Sequence, residues 1–182
     1  ETVYKMNVKT KKRVKLFHHP EVDIDEMIYS PDEKDVIGVQ YSINKPQLHF
    51  FDPSEKYSRL LRSLELNFHD HESWITSYTW DEGEAVLFVR SDQNPGDFYL
   101  YNTETKALQY LLSTREWIPP KEMVTMQHFT FTSRDKLNIH GFVSVPNDFR
   151  KGKRPMVVMP HSGPHFVRDR WAFDSDTQLL AN

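Results

Sequence analysis

A repeat of about 49 residues constrains the fold of this 182-residue chain more than any other feature of its sequence. Residues 28–33 read Ile-Tyr-Ser-Pro-Asp-Glu and precede a predicted strand at 36–41. Residues 78–83 read Tyr-Thr-Trp-Asp-Glu-Gly and precede a predicted strand at 85–90. This recurrence indicates that one supersecondary unit occurs twice. We therefore interpret the recurring acidic pair as part of a structural turn rather than as an acid/base pair.

A second element repeats with similar spacing. Residues 6–11 and 101–106 both read as an apolar or aromatic residue, Asn, two spacers, Thr and Lys. Residues 51–55, Phe-Asp-Pro-Ser-Glu, are interpreted as a variant of the same turn, so that the three copies start about 45 and 50 residues apart. Asn in a tight hairpin suits a backbone position of positive φ. The sequence therefore predicts three related hairpin turns.

Residues 1–115 are rich in short apolar and aromatic runs separated by turn residues, which is typical of short strands. The second full repeat predicts strands at 75–80, 85–90, 97–101 and 107–112. A period of about 40–50 residues with four strands is typical of a β-propeller blade. The chain holds about two and a half such blades, whereas a propeller closes with about four to eight. We expect either the last part of a larger propeller or a fragment whose open edges promote homo-oligomers.

The character of the sequence changes after residue 115. Residues 116–122 contain Trp-Ile-Pro-Pro and predict a linker, since consecutive prolines interrupt a strand. Alternating apolar residues then predict strands at 127–132 and 137–145, with a polar turn at 133–136 between them. These strands open a second predicted domain, which covers residues 123–182.

This second domain continues with a motif that carries chemistry. The apolar run at 155–160 predicts a strand buried on both faces, and residues 173–181 predict a helix with Phe173, Gln178, Leu179 and Leu180 near its core side. Between them lies His161-Ser162-Gly163-Pro164, in which glycine allows positive φ and close approach to a ligand. Strand, turn and helix in this order predict the start of a parallel α/β sheet. The whole fold class is therefore mostly β, with propeller blades followed by the first strands and helix of an α/β domain.

The stretch 154–165, with Arg168, Asp169, Trp171 and Phe173 after it, resembles the hydrolase-domain start of the prolyl oligopeptidase family, in its acylaminoacyl-peptidase-like branch. In that family the turn has the sequence His-Gly-Gly-Pro, and a β-propeller precedes the α/β-hydrolase domain. The resemblance is strong over 123–182 and rests on the repeat pattern alone over 1–115. It implies a serine peptidase acting on short peptides, with the propeller restricting entry.

Carried over by position, the resemblance assigns the backbone N–H of Gly163 as one oxyanion-hole donor. It assigns His161 a bracing role in the turn, with Ser162 and Pro164 as further loop support. Ser162 departs from the family, which has Gly there, and it strains the turn if that position requires positive φ.

Two residues that follow the turn are candidate substrate contacts, namely His165 and Arg168. For the charged group at 168–170, a surface salt bridge and a role in holding a substrate terminus are both open.

Residues that could complete an active site are missing from the sequence. An α/β-hydrolase carries its nucleophile in Gly-x-Ser-x-Gly, and none of the six glycines forms that pattern. We expect the triad beyond Asn182, so this segment should lack peptidase activity and contains no catalytic residue. The alternative is a non-enzymatic propeller-type binding module with a degenerate hydrolase remnant.

Two sharper interpretations are disfavoured. Ser162 as a nucleophile would need a hydrogen bond to an adjacent histidine, which neighbouring residues rarely form. His69 and His71 could ligate a metal, but no third ligand is evident, and a solvated loop is favoured.

Composition excludes several partner classes. A net charge of -3 argues against nucleic acid, and no apolar run approaches a membrane span. The chain has no Cys, which excludes thiolate metal sites and disulfides. We expect no cofactor or metal. The family resemblance implies a short peptide as substrate and the rest of the propeller and hydrolase domain as partners. The lack of Cys favours a cytoplasmic over a periplasmic location, although residue 1 is Glu and targeting information could precede it.

Overall fold

The computed structural model describes residues 2–148, 155–163 and 167–182. The described chain is mostly β, with several antiparallel sheets and none of them closed. Its strands are β1 (Thr2–Met6), β2 (Arg13–His18), β3 (Ile24–Tyr29), β4 (Val36–Ser42), β5 (Pro46–Phe50), β6 (Glu72–Tyr78), β7 (Glu84–Arg90), β8 (Asp97–Asn102), β9 (Leu108–Ser113), β10 (Met126–Thr132) and β11 (Asn138–Ser144). Its helices are α1 (Lys56–Asn67) and α2 (Ser175–Ala181). Within these residues, no helix is both long and apolar enough to cross a membrane.

The second repeat forms the largest sheet of the described chain. Strands β6, β7, β8 and β9 pair antiparallel in chain order, as the four predicted strands require. Along β7 every second residue is buried, so Ala85, Leu87 and Val89 face one side. We call β3–β5 the first sheet and β6–β9 the second sheet. The four-stranded prediction for this repeat is confirmed.

The two acidic turns of the repeat share the same hydrogen bonds. The hydroxyls of Ser30 and Thr79 each donate to the Asp two residues later, both at 2.7 Å. Each hydroxyl also accepts the backbone N–H five residues later. Glu33 and Glu82 take φ of 57° and 58° at the same position of the turn. The sequence repeat is therefore a structural repeat, and its acidic residues are turn elements.

The asparagine turns also match one another, although by a different device from the predicted one. The side-chain oxygens of Asn7 and Asn102 accept the backbone N–H groups two and three residues later. Positive φ occurs instead at Lys11 (57°) and Lys106 (64°). The expectation that asparagine takes the left-handed conformation is wrong, because its side chain works as a hydrogen-bond acceptor that holds the turn.

The third predicted turn, at 51–55, is present, since the carboxylate of Asp52 accepts the backbone N–H of Ser54 at 2.9 Å, but it leads into α1 rather than into a hairpin strand. Glu55 caps the N-terminus of α1, and its carboxylate accepts the backbone N–H groups of Tyr57 and Ser58. On α1, Leu60 and Leu64 pack against Leu87 and its neighbours Val89 and Tyr101 in the second sheet. Apolar residues at helical spacing on 57–64 favour a helix rather than a strand after this turn, because a helix buries them on one face.

The region after the linker follows the prediction in its first part. The linker residues 116–122 form turns and one 3-10 turn at Pro120–Glu122. Strands β10 and β11 then pair in continuous register from Met126 opposite Ser144 to Thr132 opposite Asn138. The turn between them repeats the acidic-turn pattern, since Ser133 donates to Asp135 and Lys136 takes φ of 65°.

The predicted buried strand at 155–160 is wrong in the described structure. This run forms no strand, and Met156, Val157 and Val158 are 83%, 64% and 72% exposed. A buried strand needs hydrogen-bonded neighbours on both sides, and none of the described strands pairs with this run.

The predicted helix exists but is shorter and oriented differently. It begins after Asp174, whose carboxylate accepts the backbone N–H of Thr177. Phe173 therefore precedes the helix. Gln178 is buried at 5% exposure, whereas Leu179 and Leu180 are 80% and 58% exposed. The predicted core side was wrong for both leucines, because a buried polar network around Gln178 orients α2.

Leu64→Ala should lower the free energy of unfolding by about 2–5 kcal/mol, since it leaves a cavity between α1 and the second sheet. Leu66→Ala on the same helix is the matched control, because Leu66 is 65% exposed while Leu64 is 1% exposed. The control should change stability by less than about 0.5 kcal/mol. Urea unfolding of both variants measures this difference. Equal effects would contradict the packing described for α1.

Candidate functional site

The turn at 161–163 places a glycine where other residues are disfavoured. Gly163 takes φ of 82° and so lies in the left-handed region. A Cβ added to it would lie 3.3 Å from the Cγ2 of Val167. Conformation and contact therefore both favour glycine at the residue for which an oxyanion-hole donor is predicted.

The other described residues of the turn are exposed. Ser162 does not take positive φ, so the strain considered for serine at this position is absent. The ring Nδ1 of His161 lies 3.4 Å from the carbonyl oxygen of Ser162, at the long limit of a hydrogen bond. The ring thus approaches the backbone of Ser162 rather than its hydroxyl. Pro164 and His165 lie outside the described residues.

A nearly buried carboxylate anchors the segment after the turn to the first sheet. The side chain of Asp25, 5% exposed, pairs with Arg168 and accepts a 2.6 Å hydrogen bond from the hydroxyl of Ser42. Arg168 also donates to the carbonyl oxygen of Ser42 at 3.2 Å, and Arg170 lies 3.7 Å from Asp25. The described geometry therefore gives Arg168 a structural ion pair, and its predicted contact with substrate stays a prediction.

Trp171 makes the next contact along the same segment. Its side chain is buried at 5% exposure, and the ammonium of Lys45 lies 4.4 Å from its ring centroid. Lys45 also lies 3.7 Å from the carboxylate of Asp70. Trp171 is therefore held beside Lys45, which lies in the turn between β4 and β5, and close to the loop that leads into β6.

Helix α2 is anchored to the second sheet through one buried amide. The Oε1 of Gln178 accepts the backbone N–H of Val124 at 2.9 Å. Its Nε2 donates to the carbonyl oxygens of Val124 (2.9 Å) and Asp92 (3.0 Å). The carboxylate of Asp92 in turn accepts the backbone N–H of Met126 at 2.6 Å. This network fixes the start of β10, the β7–β8 loop and α2 relative to one another.

A polar pocket of 390 Å³ lies between these anchors. Its lining includes Lys45, Asp70, Asp92, Lys121 and the ring of Trp171, so it offers charges of both signs beside an aromatic surface. His71 lies at its edge, where partial desolvation lowers the pKa of the imidazole and favours its neutral form.

No metal site is present in the described part of the chain, where no group of three or more His, Asp or Glu side chains could hold an ion. His69 pairs with its neighbour Asp70 at 2.8 Å.

The turn is predictable from the sequence, whereas the residues that anchor the neighbouring segment are not. Asp25, Ser42, Lys45 and Gln178 carry no recognisable motif, and Asp25 meets Arg168 across 143 positions of the sequence. The one local signal is that Asp25 lies at alternate spacing with apolar residues of β3, since an acidic side chain needs a partner when it is buried.

Comparison with known proteins relates the chain to peptidases. Dipeptidyl peptidase family member 6 of Caenorhabditis elegans is 25% identical over 189 aligned positions. The alignment covers 92% of this chain and 25% of the relative, so the chain spans about a quarter of that relative's length. No protein-family model matches the chain. The similarity supports a peptidase-related, hydrolase-type relationship.

Gln178→Leu should accelerate hydrogen exchange at the amide of Val124 and lower the free energy of unfolding by about 1–3 kcal/mol. The reason is that the buried N–H of Val124 and two carbonyl oxygens lose their partner. Leu179→Ala is the control, since Leu179 lies on the exposed side of the same helix. Exchange measured by mass spectrometry or NMR checks this. An unchanged rate at Val124 in Gln178→Leu would contradict the anchoring role.

Proposed function

We propose that this chain is part of a serine-type peptidase that hydrolyses short peptides. The observation that carries the proposal is the similarity to a dipeptidyl peptidase family member over 92% of the chain. The residues of the 154–165 motif agree with it, since they resemble the start of a prolyl oligopeptidase hydrolase domain.

In this proposal residues 1–115 are the last blades of a β-propeller, 116–122 a linker and 123–182 the beginning of an α/β-hydrolase domain. Support for the first part comes from the second sheet, whose four strands pair in chain order as a blade requires. Further support comes from the acidic turns at Ser30 and Thr79, which share their hydrogen bonds. The hairpin β10–β11 supports the last part, because it follows the linker where the hydrolase domain would begin.

The turn contributes one donor to the chemistry. The backbone N–H of Gly163 would stabilise the oxyanion that forms when a serine attacks the peptide carbonyl, an interaction whose loss costs about 2.7–4 kcal/mol of barrier. Ser162 is compatible with this role, since its backbone is outside the left-handed region. Arg168 and Asp25 would hold the segment that follows the turn. The second donor, the serine and its partners would come from residues beyond Asn182.

In a longer parent with the complete hydrolase domain, Gly163→Ala should lower kcat by about 10²–10³-fold with little change in KM. A Cβ is strained at a φ of 82° and shifts the backbone N–H away from an oxyanion that exists only along the reaction path. Gly83→Ala is a control in the propeller-type region, where no positive φ is required. Steady-state hydrolysis of a chromogenic peptidyl substrate measures both. A parent whose kcat is unaffected by Gly163→Ala would contradict the assigned donor.

Residues 1–182 alone should leave the same substrate uncleaved, since they contain no Gly-x-Ser-x-Gly nucleophile turn. Cleavage that survives repurification and a serine-directed phosphonate would contradict this expectation.

The second candidate function is a non-enzymatic binding module with a degenerate hydrolase remnant. Ser162 favours it, because this residue stands where the family has Gly. A fluorophosphonate probe separates the two candidates. Stoichiometric labelling of one serine in the full-length parent supports the peptidase, and its absence supports the binding module.

A further inference from the structure

A groove of 690 Å³ lies between the first and second sheets, away from the 161–163 turn. Its walls are β3 and β6, which are edge strands of their sheets among the described residues. The amide of Gln40 donates to the carboxylate of Glu72 at 3.1 Å and bridges the two sheets. Apolar lining comes from residues such as Met27, Trp74 and Ile75. An edge strand offers backbone hydrogen-bonding groups to an extended chain.

The groove carries a surplus of negative charge. Four carboxylates and one ammonium group line it, namely those of Glu26, Asp32, Glu33, Glu82 and Lys34. Lys34 is already paired with Asp32 at 2.9 Å. Glu26 and Glu33 are exposed. A cationic group entering the groove would therefore meet complementary charge on several sides.

The two acidic turns of the repeat supply much of this charge. Hydrogen bonds from Ser30 and Lys34 lower the pKa of Asp32 to about 2. The Tyr57 hydroxyl donates to Glu82 and, with Lys56, lowers the pKa of that carboxyl below its usual value. Asp32 and Glu82 line the same groove, so the turns of the two sheets approach each other here. Both carboxylates are ionised at neutral pH.

Two aromatic side chains stand at the same groove with large exposed surfaces. Trp80 is fully exposed, at 104%, and Tyr29 is 52% exposed. Trp and Tyr are enriched at protein interfaces relative to the rest of the surface. A Trp ring beside carboxylates favours Lys and Arg side chains, whose cations bind its face while their stems cover its apolar surface.

We propose that the groove between β3 and β6 binds an extended peptide segment that carries Lys or Arg side chains. The peptide backbone pairs with an edge strand, its cations meet Glu26 and Glu33, and one of them stacks on Trp80. The inference rests on the proposed function only in taking the ligand to be a peptide. Binding here requires no catalytic residue, so it can be measured on residues 1–182 without any turnover.

The test uses fluorescein-labelled octapeptides of alternating Ala and Lys, alternating Ala and Glu, and alternating Ala and Ser. Fluorescence anisotropy against the 182-residue chain should give a Kd at least about tenfold lower for the Lys peptide than for the other two. The preference should shrink when ionic strength rises from about 50 mM to about 500 mM, because exposed charges are screened. Equal affinity for the three peptides would overturn the proposal.

Variants locate the binding. Glu26→Lys combined with Glu33→Lys should abolish the preference for the Lys peptide. The control is Glu116→Lys combined with Glu122→Lys, two exposed linker positions that change the net charge by the same amount. Trp80→Ala should raise the Kd for the Lys peptide by about two- to fivefold. Circular dichroism confirms that each variant is folded. Undiminished binding by the folded double variant would place the site elsewhere and overturn the proposal.

Failure of this proposal is distinguishable from failure of the proposed function. Peptide binding at the groove is read on residues 1–182, whereas peptidase activity is read from hydrolysis and phosphonate labelling of the parent. If the parent is labelled but its groove does not discriminate among the peptides, only the proposal of peptide binding at the groove is overturned. If the parent is not labelled but its groove prefers the Lys peptide, only the proposed peptidase function is overturned.

Discussion

The packing of α1 on the second sheet is the contact on which the arrangement of both sheets depends. An isolated antiparallel sheet leaves apolar side chains on an uncovered face, and Leu87 and Val89 would be exposed without a cover. Leu60 and Leu64 of α1 provide that cover. Because α1 lies between the two sheets in the chain and also contacts β4, it brings β3 beside β6. The groove is a consequence of this packing.

Apolar packing alone does not fix the segment that contains the candidate turn. Hydrophobic contact is non-directional, whereas a buried polar group requires partners at defined positions. Asp25 and Gln178 impose such positions, the first on Arg168 and the second on Val124 and the β7–β8 loop. The segment from Arg168 to Gln178 is therefore held at both ends by directional contacts. These contacts position a segment that forms no strand.

The parts of the fold that the sequence predicted are those in which the determining contacts are local. The strands of the second repeat, the hairpin β10–β11 and the acidic turns follow from alternation and from hydroxyl and carboxylate residues two positions apart. The predicted strand at 155–160 failed because a strand depends on neighbours that its own sequence does not specify. At the candidate site, the residue type alone predicted positive φ at Gly163. The Asp25–Arg168 pair was not predictable, since no local pattern joins residues 143 positions apart.

The recurring acidic turn links the repeat to the charge of the groove. Its Asp accepts a hydroxyl hydrogen bond within the turn, so Asp32 has a structural role. Because the two sheets carry the same turn and pack side by side, these carboxylates line one groove. Their mutual repulsion is offset locally by the ammonium groups of Lys34 and Lys56. Glu26 and Glu33 differ, because their carboxylates do not close the turn. The negative charges of Glu26 and Glu33 are therefore not used to close the turn, and they are available to bind the peptide.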